Sequence, residues 1–338
     1  MDRSSGWQLS QFALGCEVLG GTDWGSVDLE AAAQTVRRAQ ECGVTVFDTA
    51  DVYGLGRSEE MLADALGDRR TKVTICSKFG VAWRKRNAEE RAITFRDCRP
   101  ERVYEALDSS LRRLRLDCLP LYLMHWPDPA VSLDETMGAL GRCYAQGKVL
   151  GVGVSNCSAE QIEQAHAVFP LSAVQVSVSL VNSQASAGAV EYCRQHGIPV
   201  MCYGPLAQGL LTGKYGPDIQ FGHDDRRRRL PHFQREFLER TRSALDILHQ
   251  TAVRHGKSVA QVALRWVLQY PGVSSVVAGA RTPQQLEENL GAFGWSLNPD
   301  EWQSLRFGWT SLEDAFAIRT GATSRYANGI LDQTAGVL

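Results

Sequence analysis

Residues 44 to 54 have the sequence Val-Thr-Val-Phe-Asp-Thr-Ala-Asp-Val-Tyr-Gly, and a glycine, Gly43, comes directly before them. A short run of β-branched and aromatic residues between glycines is typical of a buried strand. Asp48 and Tyr53 would then lie in the loop that follows this strand, on a rigid support. We therefore predict a strand that presents an acid and a phenol at its carboxyl end.

Two other apolar segments end in the same way. Residues 73 to 77 are followed by Lys78, and residues 119 to 124 are followed by His125. An acid, a phenol, an amine and an imidazole thus follow three separate predicted strands. A parallel barrel would bring all four side chains to one rim, because the carboxyl ends of its strands lie on the same side.

Strand and helix patterns alternate along the rest of the chain. A helix starting after Asp28 and ending at Gly43 separates the first strand from the second, and similar helices follow the later strands. The further predicted strands are residues 11 to 19, 149 to 154, 173 to 176, 199 to 203 and 275 to 278. Eight strands that alternate with helices predict a (β/α)₈ TIM barrel, a parallel eight-stranded sheet with its active site at the C-terminal ends of the strands.

The competing architecture is an open, doubly wound parallel sheet. It is disfavoured because no G-x-G-x-x-G turn joins a predicted strand to a helix. We expect residues 1–338 to form a single domain, with the barrel at about 11–295 and a C-terminal extension at 296–338. Residues 83 to 99 are a polar excursion, and residues 307 to 338, with weak periodicity, are expected to form a lid or a loose tail.

Composition limits the class of function. The chain has 338 residues, 44% of them hydrophobic, and a formal net charge of -2, so it can bury a large core but has no basic surface for nucleic acid. No apolar run is long enough to span a bilayer. The nine cysteines include no C-x-x-C pair, and an odd number argues against a disulfide framework. We expect a cytoplasmic protein that acts on a small molecule without a metal.

Five motifs, in this order along the chain, resemble those of the aldo-keto reductase superfamily. The resemblance runs from about residue 11 to residue 295. It implies NADPH-dependent reduction of an aldehyde or ketone on a barrel that binds a dinucleotide without a Rossmann module. The motifs are Phe47-Asp48-Thr49-Ala50-x-x-Tyr53-Gly54, Lys78 after a strand, His125-Trp126-Pro127, Gly153-Val154-Ser155-Asn156 and Gly204-Pro205-Leu206.

The chemistry of the side chains agrees with this resemblance. Hydride transfer to a carbonyl carbon leaves negative charge on the oxygen, which then needs a proton. Tyr53 would be the general acid, since a phenol keeps its proton at neutral pH and releases it when a cation is near. Lys78 would be that cation, Asp48 would pair with it, and His125 would position the carbonyl oxygen.

The resemblance also implies where the cofactor NADPH or NADP⁺ binds. Ser155, Asn156 and Gln175 would hold the nicotinamide carboxamide, Tyr203 would stack on the ring, and Arg281 would pair with the 2′-phosphate. A loop along the pyrophosphate and the segment at the adenosine would supply the other contacts. These are Gly204, Leu206, Gln208, Leu210, Thr212 and Lys214 in the loop, and Gly279, Gln285, Glu288 and Asn289 at the adenosine.

Several interpretations stay open at this point. The protein could instead be a regulatory subunit that binds NADPH with little turnover, or a barrel lyase that uses Lys78 as a Schiff-base amine. The arginine run at residues 226–229 could clamp the cofactor, although a solvated face is the commoner role of such a run. Trp24, Val52, Trp83 and Trp126 are candidates for the pocket wall. The substrate, the direction of reaction and the oligomeric state are not indicated.

Overall fold

The computed structural model of the chain describes residues 7–84 and 92–320. Eight parallel strands close into a barrel, as predicted. The barrel strands are β1 (Phe12–Gly15), β2 (Val46–Asp48), β3 (Thr74–Phe79), β6 (Leu121–Met124), β7 (Val152–Ser155), β8 (Ala173–Ser177), β9 (Val200–Tyr203) and β10 (Val273–Gly279). Around the barrel they follow the order β1-β10-β9-β8-β7-β6-β3-β2.

Helices surround the barrel and connect its strands. Several begin at residues that satisfy the free N–H groups of a first helical turn: Asp28 accepts from two backbone N–H groups of α1, and Ser158 and Ser258 form capping boxes. The helices are α1 (Leu29–Glu41), α2 (Arg57–Leu66), α3 (Pro100–Leu114), α4 (Leu133–Ala145), α5 (Ala159–Val168), α6 (Ala187–His196), α7 (Arg235–Arg240), α8 (Arg242–His255), α9 (Val259–Leu268), α10 (Pro283–Leu290) and α11 (Pro299–Thr320).

The interior of the barrel is a packed core. Inward-facing side chains fill it, and Trp7 and Leu9 pack against this cluster together with Tyr203 at the end of β9. Gln8 bonds to Thr74 at the start of β3, so the segment before β1 lies at the amino ends of the strands. The filling residues are Ala13, Val46, Cys76, Leu121, Leu123, Ala173, Met201 and Val277. A filled barrel leaves its carboxyl rim as the place for a site.

The structure differs from the predicted elements in three places. The strand predicted at residues 11 to 19 ends at Gly15, and Glu17–Gly20 form a 3₁₀ turn that closes with Gly21 at φ 69°. The polar excursion contains an antiparallel hairpin, β4 (Val81–Arg84) with β5 (Ile93–Arg96). The sequence pattern does not predict this hairpin, because each strand has only four residues and Ile93 and Phe95, on one face of β5, are exposed.

The C-terminal extension is the third difference. Residues 307–320, expected to be a lid or a loose tail, continue helix α11, while residues 321–338 lie outside the described part of the chain. The indoles of Trp302 and Trp266 stack at 5.0 Å, and Leu305 and Trp309 are buried, so this helix is fixed by its apolar face. Within residues 7–84 and 92–320, no helix is long and apolar enough to cross a membrane.

Candidate active site

Lys78 and Asp48 form a buried ion pair at the carboxyl ends of β3 and β2. The Lys78 Nζ donates to Asp48 Oδ1 at 2.7 Å, to Asp48 Oδ2 at 2.9 Å and to the backbone oxygen of Thr49 at 2.8 Å. Lys78 is fully buried and Asp48 is 4% exposed. All three ammonium protons therefore have acceptors, which a buried cation requires.

The ion pair keeps the lysine charged. Burial disfavours the ammonium and lowers its pKa, but the Asp48 carboxylate at hydrogen-bond distance raises the pKa of Lys78 above its ordinary value. A fixed positive charge therefore lies beneath the rim of the barrel.

Tyr53 and His125 lie next to this charge. Their rings contact edge to face with centroids 5.7 Å apart, and Lys78 Nζ lies 5.4 Å from the centroid of the Tyr53 ring. Gly54, at φ 58°, packs its backbone directly against Gly20, so neither position has room for a Cβ atom. The loop that carries Tyr53 is thereby held against the turn after β1.

The protonation states of the two rings follow from their surroundings. Burial raises the pKa of the Tyr53 phenol, and the Lys78 ammonium opposes that shift without cancelling it. Burial, and then Lys78, hold the pKa of His125 well below its usual range. Tyr53 is therefore a protonated phenol and His125 a neutral imidazole at pH 7. Among the described residues nothing bonds to His125 Nδ1.

The residues predicted to hold the nicotinamide bond to the Asp48 side chain and to the backbone of His125. Gln175 Nε2 donates to Asp48 Oδ2 at 2.8 Å. Asn156 Nδ2 donates to the backbone oxygen of His125 at 2.8 Å, and the Tyr203 hydroxyl donates to Asn156 Oδ1 at 2.7 Å. Ser155, at the end of β7, accepts from Asn156 Nδ2 at 3.1 Å. The predicted nicotinamide residues thus belong to two hydrogen-bonded groups: Gln175 with Asp48 and Lys78, and Asn156 with Ser155, Tyr203 and the backbone of His125.

A cavity of about 630 Å³ opens over these residues. Its volume suits a dinucleotide and a small substrate. Asp48, Tyr53 and His125 line it, and Lys78 lies behind them as a buried charge. The predicted cofactor residues that line it are Ser155, Asn156, Gln175, Tyr203, Gly204, Leu206, Gln208, Thr212, Lys214, Gly279, Arg281, Gln285, Glu288 and Asn289.

Two predicted positions do not line the cavity as expected. The described lining residues do not include Leu210, whose side chain is fully buried in the hydrophobic core. Trp83, a candidate for the pocket wall, instead lies beneath the Arg102 guanidinium at 5.5 Å. Trp24, Val52 and Trp126 do line the cavity.

The arginine run is solvated only in part: Arg228 and Arg229 are exposed, whereas Arg226 is partly buried and Arg227 is buried. Asp225 forms an antiparallel bridge with Trp24, and Arg226 lies over the Trp24 ring at 4.2 Å. Arg226 also makes a two-point ion pair with Glu17, at 2.6 and 3.1 Å. The segment at 225–229 and the loop after β1 therefore contact each other beside the cavity, which both line.

Arg227 is buried within the same cluster. Its guanidinium pairs with Asp225, donates to the Tyr215 hydroxyl at 2.7 Å and lies over the Phe221 ring at 4.5 Å. Arg281 is near: its Nη2 donates to the Trp24 backbone oxygen at 2.7 Å, and burial together with Arg227 lowers its pKa. Two arginines thus meet at the end of the cavity where the adenosine was predicted to bind.

Sequence reasoning missed two features of this site. Glu17 follows strand β1, and functional groups often follow strand ends in a barrel, so this position could have been identified. The predicted first strand, residues 11 to 19, instead included Glu17. The contact between Trp24 and Asp225 joins positions about 200 residues apart in sequence, and no local pattern indicates it.

The fold and the site together define a (β/α)₈ barrel with an ion pair, a phenol and an imidazole at one end of a long cavity. Comparison with known proteins agrees: residues 13–307 match the model of the aldo/keto reductase family, and the chain belongs to that family. Its members are nicotinamide-dependent carbonyl oxidoreductases.

Three relatives show how close the likeness is. The chain is 35% identical to the aldo-keto reductase YhdN of Bacillus subtilis over 94% of each chain. It is 32% identical to the aldo-keto reductase yakc [NADP(+)] of Schizosaccharomyces pombe over 84% of each. The structure of the glycerol dehydrogenase AKR11B4 from Gluconobacter oxydans is 36% identical and superposes with a TM-score of 0.81, covering 92% of both chains.

Proposed function

We propose that the protein reduces an aldehyde or ketone to an alcohol with NADPH, and that Tyr53 is the general acid. The observation that carries this proposal is the fully bonded Lys78–Asp48 ion pair beside Tyr53 and His125, at one end of a cavity of dinucleotide size. Bound NADPH would supply the hydride.

Side chains of the protein would donate the proton and bind the carbonyl oxygen of the substrate. Tyr53 holds its proton in the resting site, because burial outweighs the effect of Lys78 on its pKa. When negative charge develops on the substrate oxygen, the Lys78 ammonium favours transfer of that proton from the phenol. His125, as a neutral imidazole, can donate a hydrogen bond to the same oxygen. General acid catalysis of this kind contributes about 10²- to 10⁴-fold.

The residues along the cavity suit the cofactor. Amide and hydroxyl groups of Ser155, Asn156 and Gln175 match the donors and acceptors of a carboxamide. At the other end, Arg281 and Arg227 offer two guanidinium groups, which suit the extra phosphate that distinguishes NADPH from NADH. One relative is itself named for NADP(+). We therefore infer that NADPH is preferred.

The geometry argues against Lys78 as a Schiff-base amine. A nucleophilic lysine must lose its proton, whereas all three protons of Lys78 are bonded and Asp48 raises its pKa. The alternative that the protein is a regulatory subunit is distinguished from a reductase only by turnover, because both would bind NADPH.

The test is an NADPH-oxidation screen against aldehydes, ketones and keto-sugars, with glycerol and NADP⁺ included because a solved relative is named a glycerol dehydrogenase. Tyr53→Phe should lower kcat at least ~10²-fold and leave NADPH binding, measured by tryptophan quenching, unchanged. A wild-type protein that binds NADPH but reduces nothing would support the regulatory alternative. Full activity of Tyr53→Phe would rule out the assigned acid.

A further inference from the structure

A second set of buried polar side chains lies on the outer side of the sheet, behind the predicted catalytic residues. Ser77 and Lys78 are neighbours on β3, so their side chains point to opposite faces. Lys78 points to Asp48 inside the rim, whereas the Ser77 hydroxyl donates to Glu59 at 2.5 Å, on helix α2. Glu59 is fully buried and also accepts from Arg113 Nε at 2.6 Å.

Asp51 belongs to the same outer set and to the loop of Tyr53. Its backbone N–H donates to the Lys78 carbonyl at 3.2 Å, and the backbone N–H of Tyr53 donates to the Ala50 carbonyl at 3.2 Å. The Asp51 side chain is fully buried and turns outward to helix α3, where Arg102 Nη2 donates to its Oδ2 at 3.2 Å. The loop is thus fixed to β3 through its backbone and to α3 through Asp51.

Arg102 is fixed from its other side as well. Its guanidinium lies over the Trp83 ring, 5.5 Å from the centroid, on strand β4. Arg102 and Arg113 are 11 residues apart, close to three helical turns, so one face of α3 carries both arginines of the set. Strand β4 also contributes Val81 to the cavity lining. A single arginine therefore contacts the tyrosine loop and the hairpin at the cavity.

We propose that Asp51 and Arg102 are positioning residues, whose hydrogen bond holds the loop so that the Tyr53 hydroxyl meets the substrate oxygen. Neither side chain lines the cavity among the described residues, so both act through Tyr53. This proposal rests on the proposed function, in which Tyr53 donates the proton.

The physical reason is the sensitivity of proton transfer to geometry. Tyr53 is two residues from Asp51, and a turn at residues 51–52 connects Asp51 to the 3₁₀ helix Tyr53–Gly56. A displacement of about 1 Å at a reacting group can cost ~10²-fold in rate. A buried bond to a helix of the outer layer restricts such displacement. A buried carboxyl group without a hydrogen bond would be costly, and Arg102 supplies that bond to Asp51.

The experiment compares Asp51→Ala and Arg102→Gln with the wild type, using a carbonyl substrate that the wild type reduces. Both variants should lower kcat ~10-fold or more and change the Kd for NADPH less than ~2-fold. The solvent deuterium isotope effect on kcat should rise, since proton transfer becomes slower; a purely structural role would not move it. Asp51→Asn should recover most of kcat, because its amide oxygen still accepts from Arg102.

Asp108→Asn is the matched control. Asp108 lies on α3, as Arg102 does, and its exposed carboxylate pairs with Lys148 at 2.6 Å. The substitution breaks this pair and should leave kcat unchanged. If Asp51→Ala does not fold, Arg102→Gln decides, since it leaves the loop sequence intact. Unchanged kcat and isotope effect in Arg102→Gln would overturn the proposal. A wild type without reductase activity would instead overturn the proposed function.

Discussion

The two ends of the cavity are built by different physical means. At the end proposed to bind the nicotinamide, called the nicotinamide end, Asp48, Lys78 and Gln175 are almost fully buried and bonded to one another at the ends of barrel strands. Towards the end proposed to bind the adenosine, called the adenosine end, Arg226 and Arg281 lie in connecting segments and are partly exposed. Arg226 is held by an ion pair with Glu17 and by the Trp24 ring, and Arg281 by a hydrogen bond to the Trp24 backbone oxygen.

This difference predicts how each end responds to change. A buried ion pair that loses one partner leaves an uncompensated charge, which costs several kcal/mol. A partly exposed pair is worth about 0–1 kcal/mol and is screened by salt. Substitutions at the nicotinamide end should therefore damage folding and chemistry together, and those at the adenosine end should change cofactor binding alone.

Lys78→Met is expected to have the largest effect. It leaves the Asp48 carboxylate buried without its cation, so the free energy of unfolding should fall by about 3–5 kcal/mol, and reductase activity should be lost. Urea unfolding and NADPH-oxidation rates measure the two effects. Lys148→Met, which removes a half-exposed lysine from its pair with Asp108, is the control and should change neither. A stable Lys78→Met protein would contradict the view that this end is held by its charges.

Arg281→Met should weaken NADPH binding about 10- to 100-fold and leave NADH binding unchanged. A bond between a guanidinium and a phosphate contributes about 1.5–3 kcal/mol, and only NADPH has the phosphate. Fluorescence titration with both dinucleotides measures the change. Arg228→Met, an exposed member of the arginine run, is the control. Equal losses for the two dinucleotides would mean that Arg281 supports the Trp24 loop and does not bind a phosphate.

Sequence alone predicted the nicotinamide end better than the adenosine end. Asp48, Lys78 and His125 each follow an apolar run, so strand periodicity places them at the rim without further information. Asn289 and Arg281 follow from the resemblance to the family. The contact of Trp24 with Asp225 and the pair of Glu17 with Arg226 connect distant loops, and loop positions depend on tertiary packing that no local period encodes.

Two features outside the barrel, hairpin β4–β5 and the bond between Asp51 and Arg102, could not be predicted from the sequence for other reasons. The strands of hairpin β4–β5 have four residues each, and the apolar Ile93 and Phe95 of β5 are exposed, so the pattern was too short and too weakly buried to indicate a hairpin. Asp51 lies in the quoted motif but its partner, Arg102, is 51 residues away on α3. A buried polar contact of this kind depends on how the helices pack against the barrel, so it can be identified only from the three-dimensional structure.

His125 should make the nicotinamide end sensitive to acid. Its pKa in the folded protein lies well below the ordinary value of 6.5, so below pH 6.5 the unfolded chain binds a proton that the folded chain does not. Stability contributed by this residue is therefore present above pH 6.5 and is lost as the pH falls below it, by at most ~1.4 kcal/mol per unit. Urea unfolding of wild type and His125→Asn between pH 7.5 and 5 should show a steeper decline for the wild type. The exposed His196, changed to Gln, is the control, and parallel curves for wild type and His125→Asn would contradict the assignment.

Glu17→Gln should have the smallest effect, and it tests the adenosine end directly. The Glu17–Arg226 pair is about one-quarter exposed on each side, so its loss should cost less than ~1 kcal/mol of stability. Because Arg226 also holds Trp24 beside the cavity, the variant should release NADPH faster in stopped-flow measurements. The difference from wild type should shrink between 0.05 and about 0.5 M salt, since salt screens the wild-type pair. A difference that does not depend on salt would show that Glu17 acts through packing. The contrast between an end held by buried charges and an end held by solvent-screened ion pairs would then not apply to this residue.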